Sequence, residues 1–211
     1  MDVIDAILAR HSVRDFSSKP VAKETIINIL ETANRSPSGG NGQPWEVFVA
    51  TGATLENMRK MYKERLPAVP ARPPMPDFIE ERMRVIRNER LKLLGLDPSD
   101  PASVKIFQEW GKRLFGAPVL VVICMHEALS SNLDLGLFIQ TVCLAARSYG
   151  VDSFIASAFV SQPDIIRNEL EIPENLNIIT GIGLGYANTD SIINTYRSPR
   201  RPINEVVRYK D

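Results

Sequence analysis

The stretch "NIITGIGLGYA", residues 177–187, decides between two folds. Gly181, Gly183 and Gly185 invite comparison with a dinucleotide-binding turn. That turn places its glycines between a strand and a helix, with the last one spaced more widely. Here the glycines alternate inside an apolar run, and Tyr186 and a polar loop follow. The pattern predicts a strand with one face cleared for a closely packed neighbour.

Outward from this strand the chain reads as alternating helices and strands. Asp2 is placed to cap a short helix with an apolar stripe of Val3, Ile4, Ile7 and Leu8. Residues 23–34 form a second amphipathic helix through Ile26, Ile27, Leu30 and Ala33. "SPSGGNGQP" ends it as a loop. "WEVFVA", residues 45–50, is a strand, with Trp45 expected to be anchored in the core. Thr54 is then expected to cap a helix running to about Leu66. The proline run "PAVPARPPMP", residues 67–76, admits no regular element. A charged helix over 77–94 breaks at Gly95 and at "DPSDP". "PVLVVICM", residues 118–125, is apolar throughout, as a central strand is. Residues 129–149 make a long helix, nearly all apolar over 136–146, hence buried in a core or a subunit interface. A strand or strand-to-loop passage over 152–160, a helix over 163–170 and the glycine strand follow. The tail, 189–211, carries prolines and arginines. This order predicts a mixed sheet with helices on both faces and a helical excursion between the first two strands.

Composition narrows the function. In 211 residues, 25 basic side chains balance 25 acidic ones, which argues against a nucleic-acid or anionic-membrane binder. Apolar residues make up 44%, enough for a packed core. Cys124 and Cys143 lie in apolar runs and read as free buried thiols of a reducing compartment, with a single bridge between them left open. No leader-like segment and no apolar run of spanning length is present, so a soluble, cytoplasmic protein is expected. The only histidines, His11 and His126, have no ligand neighbours at metal spacing, and there is no nucleophile elbow or Walker loop. The side chains offer little covalent or acid–base chemistry, so a cofactor is expected to supply it.

One basic site stands out. In "ARHSVRDFSSKPV", residues 9–21, Arg10, Ser12 and Arg14 alternate within five positions, so an extended backbone points them to one side. By spacing alone this is equally an anion site and a solvated basic edge.

Six segments in order resemble the flavin-dependent nitroreductase family: "RHSVRDF" (10–16), "SPSGGNGQPW" (36–45), "FGAPVLVVI" (115–123), "LDLGLFIQTVCLAA" (133–146), "IGLGYA" (182–187) and "RRPINEVV" (200–207). The resemblance spans essentially the whole chain. It implies one domain over 1–211 with an α+β fold, a mixed central sheet flanked by helices, and a helical excursion over 66–112 covering the active site. It further implies an intertwined homodimer holding FMN in clefts touched by both chains.

Residue by residue, the resemblance places Arg10 and Ser12 on the FMN phosphate, where a guanidinium fork suits phosphate oxygens. His11 would contribute backbone. Arg14 would stand at the pyrimidine edge as a catalytic cation stabilising the reduced ring. Pro37, Ser38 and Gly39 would reach the FMN of the other chain, with Asn41 and Gln43 either touching it or ordering their loop. Ala156 and Ser157 would supply the backbone donor near the reacting edge, in a segment that departs from the family's common patterns. Arg200, with Arg201 as neighbour, would be a second phosphate cation. Gly111, Lys112 and Arg113 occupy the place of an asparagine that many relatives use on the ribityl chain, with Arg113 the candidate replacement. Phe78, Phe107 and Trp110 are either pocket walls or packing of their own helices. The implied activity is ping-pong reduction of nitroaromatics, quinones or similar acceptors by NAD(P)H, with no metal, nucleic acid or membrane involved. Alternatives are a reductive dehalogenase on the same scaffold and an FMN-storage protein without turnover.

Overall fold

The structure is a computed structural model and describes residues 1–65 and 74–210. Its sheet has four strands: β1 (Trp45–Thr51), β2 (Val119–His126), β3 (Asp152–Ala156) and β4 (Leu176–Gly185), in the spatial order β1-β2-β4-β3. Every strand pair is antiparallel, for example Val47 opposite Ile123, Val121 opposite Ile182 and Phe154 opposite Gly183. A bulge between Ile123 and Cys124 shifts the β2–β4 register. The parallel component of the expected mixed sheet is confined, among the described residues, to one bridge, Ser12 with Ser153. The apolar run of β2 therefore does not report parallel pairing. It reports a central strand covered on both faces.

Those covers are the helices. Val119, Val121, Ile123 and Met125 point into one core with Ile182 and Leu184 of β4. Ile26, Ile29 and Ala33 of α2 (Lys23–Ala33) close that core with Leu135, Phe138 and Val142 of α6 (Asn132–Ser148). Leu120, Val122 and Cys124 point to the opposite core. There they meet Leu55, Met58 and Tyr62 of α3 (Gly52–Glu64) and Ile165 and Ile166 of α7 (Pro163–Glu169). Each such buried aliphatic side chain contributes on the order of 1.5–3 kcal/mol. Trp45 is anchored as expected: its ring stacks on Phe138 at 4.7 Å and its Nε1 donates to Asn34 Oδ1 at 3.0 Å.

The glycine strand packs as its alternation predicts. A Cβ on Gly181 or Gly183 would fall 2.5 Å from the buried Phe159 side chain, and one on Gly185 would fall 2.5 Å from Pro118. Phe159 belongs to a short 3-10 turn, Ser157–Val160, so of the two readings of 152–160 the passage out of a strand holds, the strand ending at Ala156. The notch belongs to an aromatic side chain.

Four helical expectations are adjusted. The first helix, α1 (Val3–Ala9), is capped by Asp2 through Ile4 N–H at 2.9 Å, yet Val3, Ile4, Ile7 and Leu8 are exposed and only Ala6 is buried. Thr54 is no cap: α3 already starts at Gly52, whose φ of 53° sharpens the exit from β1. Its predicted end at Leu66 and most of the proline run lie outside the described residues. After α4 (Asp77–Leu93), "DPSDP" is no mere breaker. Asp100 accepts from Ala102 N–H at 2.8 Å, and Pro101 opens a further helix, α5 (Pro101–Lys112). Finally, α6 starts at Asn132 rather than Leu129. It buries one side and leaves Leu133, Gly136 and Leu137 exposed on the other. A last helix, α8 (Ile203–Val206), lies in the tail, and no described helix is long and apolar enough to cross a membrane.

Candidate active site

The segment after α1 runs extended beside β3. Ser12 bridges Ser153, and Val13 N–H donates to the Ser153 carbonyl at 3.1 Å. Val13 is thereby buried, and Arg10 and Ser12 are half-buried. Arg14 is drawn deeper, to 9% exposure. Its Cζ stands 5.2 Å from the Phe154 ring centroid, and its Nη1 donates to the Ser12 carbonyl at 3.0 Å. Its buried Nε has no partner.

The floor under Arg14 traces back to the glycine strand. Phe159 fills the notch at Gly181 and Gly183. Phe154 packs edge-on against Phe159 at 5.8 Å and against Phe115 at 4.7 Å. Phe115 and its neighbour Leu114 hold left-handed backbone, φ 54° and 50°, a conformation that bulky residues avoid. Arg59 of α3 clasps this turn. Its guanidinium donates to the carbonyls of Arg113 and Ala117 and pairs with Glu56.

Electrostatics single out the same place. The Arg14 guanidinium is lowered to about 10, chiefly by burial and secondly by the positive charge of Arg90 on α4, with Tyr196 opposing both. Arg14 stays cationic at neutral pH all the same. Burial also lowers His11, whose Nδ1 lies 3.0 Å from the Ala9 carbonyl; the charge of Arg197 adds to the lowering. The two thiols are free and buried, Cys124 pushed up to about 11 and Cys143 also raised, both chiefly by desolvation. Neither is a ready nucleophile. Among the described residues no cluster of potential metal ligands occurs.

The predicted residues fall into groups. Arg10, His11, Ser12, Arg14, Ala156 and Ser157 share the β3 edge, since Ser12 sits beside Ser153 and Ala156 ends the same strand. Pro37, Ser38, Gly39, Asn41 and Gln43 form an exposed loop at the start of α6, with Gly39 N–H donating to Asp134 Oδ1 at 3.2 Å. Asn41 and Gln43 order this loop. Gln43 N–H donates to Ser38 Oγ at 3.0 Å, its Nε2 donates to the Asn41 carbonyl at 3.2 Å, and both residues have positive φ. Arg113 is exposed and lines a separate cleft of about 410 Å³ with Arg59, Lys63 and Gly52, which none of the other predicted residues joins. Arg200 and Arg201 are exposed and bonded locally, Arg200 to the carbonyls of Ser198 and Pro199, Arg201 to Glu205. Phe107 and Trp110 pack edge-on at 5.7 Å on α5, while Phe78 is 58% exposed.

Three residues escaped the sequence reading. Asn194 is buried in a 3-10 turn, Ile192–Thr195, and its side chain holds both Arg14 and Asp15 N–H groups. Arg197 is the tail cation felt by His11. Arg90 is the cation felt by Arg14. An isolated asparagine and arginines within charged or basic stretches carry no local signal that separates them from solvated neighbours.

Known proteins resemble this chain over nearly its whole length. A 4-nitrobenzoate reductase from Nocardioides sp. (strain LMS-CY) is 31% identical, over 99% of this chain and 90% of its own. A 4-nitrobenzoate reductase from Pseudomonas putida is 29% identical, over 94% and 92%. The crystal structure of the FMN-dependent nitroreductase NfnB from Mycobacterium smegmatis, in complex with NADPH, superimposes with a TM-score of 0.88 at 28% identity, over 99% of this chain and 97% of that one. The family model described as the nitroreductase family matches residues 7–186, and the chain belongs to that family.

Proposed function

We propose that the protein is an FMN-dependent oxidoreductase that draws electrons from NAD(P)H and reduces electron-poor aromatics, nitroaromatics foremost and quinones among them. The observation that carries this is Arg14, a buried cation with an unpartnered Nε above an aromatic floor. A desolvated guanidinium without a counter-charge calls for an electron-rich edge against it. Family membership and the FMN and NADPH named for the Mycobacterium smegmatis relative support flavin as that edge. The names of the two bacterial relatives support nitroaromatics as acceptors.

On this reading Arg10 and Ser12, with the backbone of His11, hold the phosphate. Arg14 faces the pyrimidine edge, and Ala156 and Ser157 present backbone N–H groups near the reacting edge. Arg197, close enough to act on His11, joins Arg200 and Arg201 as a candidate for the second phosphate cation. Bound FMN supplies two-electron transfer between the nicotinamide and the acceptor, which occupy the site in turn. The chain acts as one domain, with the insertion over 66–112 covering the acceptor. It works as a homodimer in which the loop carrying Pro37, Ser38, Gly39, Asn41 and Gln43 serves the neighbouring copy. The exposed apolar side chains of α1 and the exposed Leu133 and Leu137 of α6 support that assembly. Two buried free thiols suit a reducing, cytoplasmic setting.

Arg14→Met tests the assignment. FMN binding should weaken by about 1.5–3 kcal/mol, the scale of a charge-assisted hydrogen bond. The apo protein should lose less than about 1 kcal/mol, because a buried unpaired charge is removed with it. Calorimetric FMN titration and urea unfolding of the apo forms measure both. Wild-type FMN affinity in the variant contradicts the reading.

A further inference from the structure

The start of α6 reads Ser131, Asn132, Leu133, Asp134. A hydroxyl followed three positions on by an acid has the spacing of a reciprocal helix cap, in which each side chain satisfies a backbone amide of the first turn. The structure directs both elsewhere. Ser131 stands at the cap position, but its side chain bonds no helix amide. Its hydroxyl donates instead to Asp134 Oδ2 at 2.5 Å. Asp134 Oδ1 accepts from Gly39 N–H at 3.2 Å, across 95 positions of sequence. The helix forgoes its side-chain cap, and the carboxylate is aimed at the loop over 37–43.

That loop needs an anchor. Gly40, Asn41 and Gln43 hold left-handed backbone, at φ 56°, 59° and 44°, which the two non-glycine residues adopt at a cost. Within it Ser38 Oγ accepts from Gln43 N–H at 3.0 Å, and among the described residues the Ser38 hydroxyl hydrogen has no acceptor. Gly39 follows Ser38 directly, so the Asp134 bond fixes the peptide next to that side chain. The Ser38 oxygen is thereby oriented, and its donor is left for a group outside this chain. Leu133, beside Asp134 in the first turn, is 74% exposed, as an apolar side chain covered by a second copy would be.

We propose that Asp134 is a positioning residue for flavin binding in the neighbouring copy. Through Gly39 N–H it holds the loop so that the Ser38 hydroxyl donates across the dimer interface to FMN. This rests on the reading above, in which the loop serves the FMN of the second chain.

The test uses the full chain, with FMN titrated calorimetrically into the apo forms. Asp134→Ala should bind FMN about tenfold or more weakly, the scale of a charge-assisted hydrogen bond. Asp134→Asn keeps an acceptor for Gly39 N–H and a polar partner for Ser131, so it should stay within about threefold of wild type. Ser38→Ala should lose about as much as Asp134→Ala, and the two losses together should fall well short of additive. A mixed dimer then separates a role across the interface from a general loss of stability. Differently tagged Asp134→Ala and Arg10→Ala chains are co-expressed and purified through both tags. The Asp134→Ala chain keeps its own Arg10 and meets an intact loop on its partner. One FMN site per mixed dimer should therefore regain wild-type affinity, which neither homodimer shows. No recovery in the mixed dimer, additive losses, or wild-type affinity in the Asp134→Ala homodimer overturns the positioning role. A wild type that holds FMN yet sediments as a monomer refutes the dimer reading and the cross-chain role with it. An Arg10→Ala homodimer of wild-type affinity refutes only the phosphate assignment, and the Asp134 and Ser38 variants still decide the positioning.

Discussion

The backbone N–H of Arg14 donates to Oδ1 of Asn194 at 2.9 Å, joining two residues 180 positions apart. The same side chain receives Asp15 N–H at 3.3 Å and donates through Nδ2 to the carbonyls of Asp15 at 2.7 Å and Asn188 at 3.0 Å. A primary amide offers two donor hydrogens and a two-lone-pair acceptor, and Asn194 uses all of them. The chain's two ends are thereby fixed at the candidate flavin edge.

Asn194→Asp keeps the shape and removes both donors, setting carboxylate oxygens against two carbonyls. Asn194→Leu leaves the Arg14 and Asp15 amides without this acceptor. Each variant should lose about 2–4 kcal/mol, from two or more hydrogen bonds and a buried unsatisfied group. Urea unfolding measures it, and a loss below about 1 kcal/mol in both contradicts the clasp.

Gly183→Ala should be destabilised by roughly 1–3 kcal/mol, since the new methyl lands 2.5 Å from Phe159 Cζ and 3.0 Å from Ala117 Cβ. Phe159 is fully buried, packed against Phe115 and Phe154, and has no room to retreat. The clash should couple the two sites. In the Phe159→Leu background the added methyl should cost less than half as much, and a double-mutant cycle that is additive argues against the packed notch.

The fold was legible wherever a pattern spans a whole element. The β2 run and the glycine alternation of β4 follow from which faces are covered, whereas the stripe read for α2 included Ile27, which is exposed, and omitted Ile29, which is fully buried. The start of α5 was misread because aspartate before proline signals a loop and a helix start alike; only the cap at Ala102 decides. The left-handed Leu114 and Phe115 carry no residue-type signal, since glycine arrives only at Gly116. Within the site, the alternation of Arg10, Ser12 and Arg14 was legible as local geometry. Asn194 and Arg90 were not, because they act through tertiary contacts, and a polar residue in a loop or a charged helix looks the same whether it faces water or a partner.

His11 gives a pH dependence. Burial, first among its causes, holds its pKa below the ordinary value of 6.5, so the folded state resists protonation that the unfolded chain accepts. Stability from this residue is complete above pH 6.5 and falls as pH drops through the lowered folded value. Urea midpoints of wild type should decrease from pH 7.5 to 5.5 more steeply than those of His11→Gln. Parallel slopes in the two proteins contradict the buried, neutral imidazole.

The most direct measurement is an anaerobic spectral titration of the purified, FMN-reconstituted protein. Addition of NADH or NADPH should bleach the visible absorption band of the oxidised flavin. A nitroaromatic added afterwards should restore the band while the nitro compound is consumed. A band that stays unbleached with both nucleotides, in protein that retains its FMN, contradicts the assignment of this chain as an NAD(P)H-dependent nitroreductase.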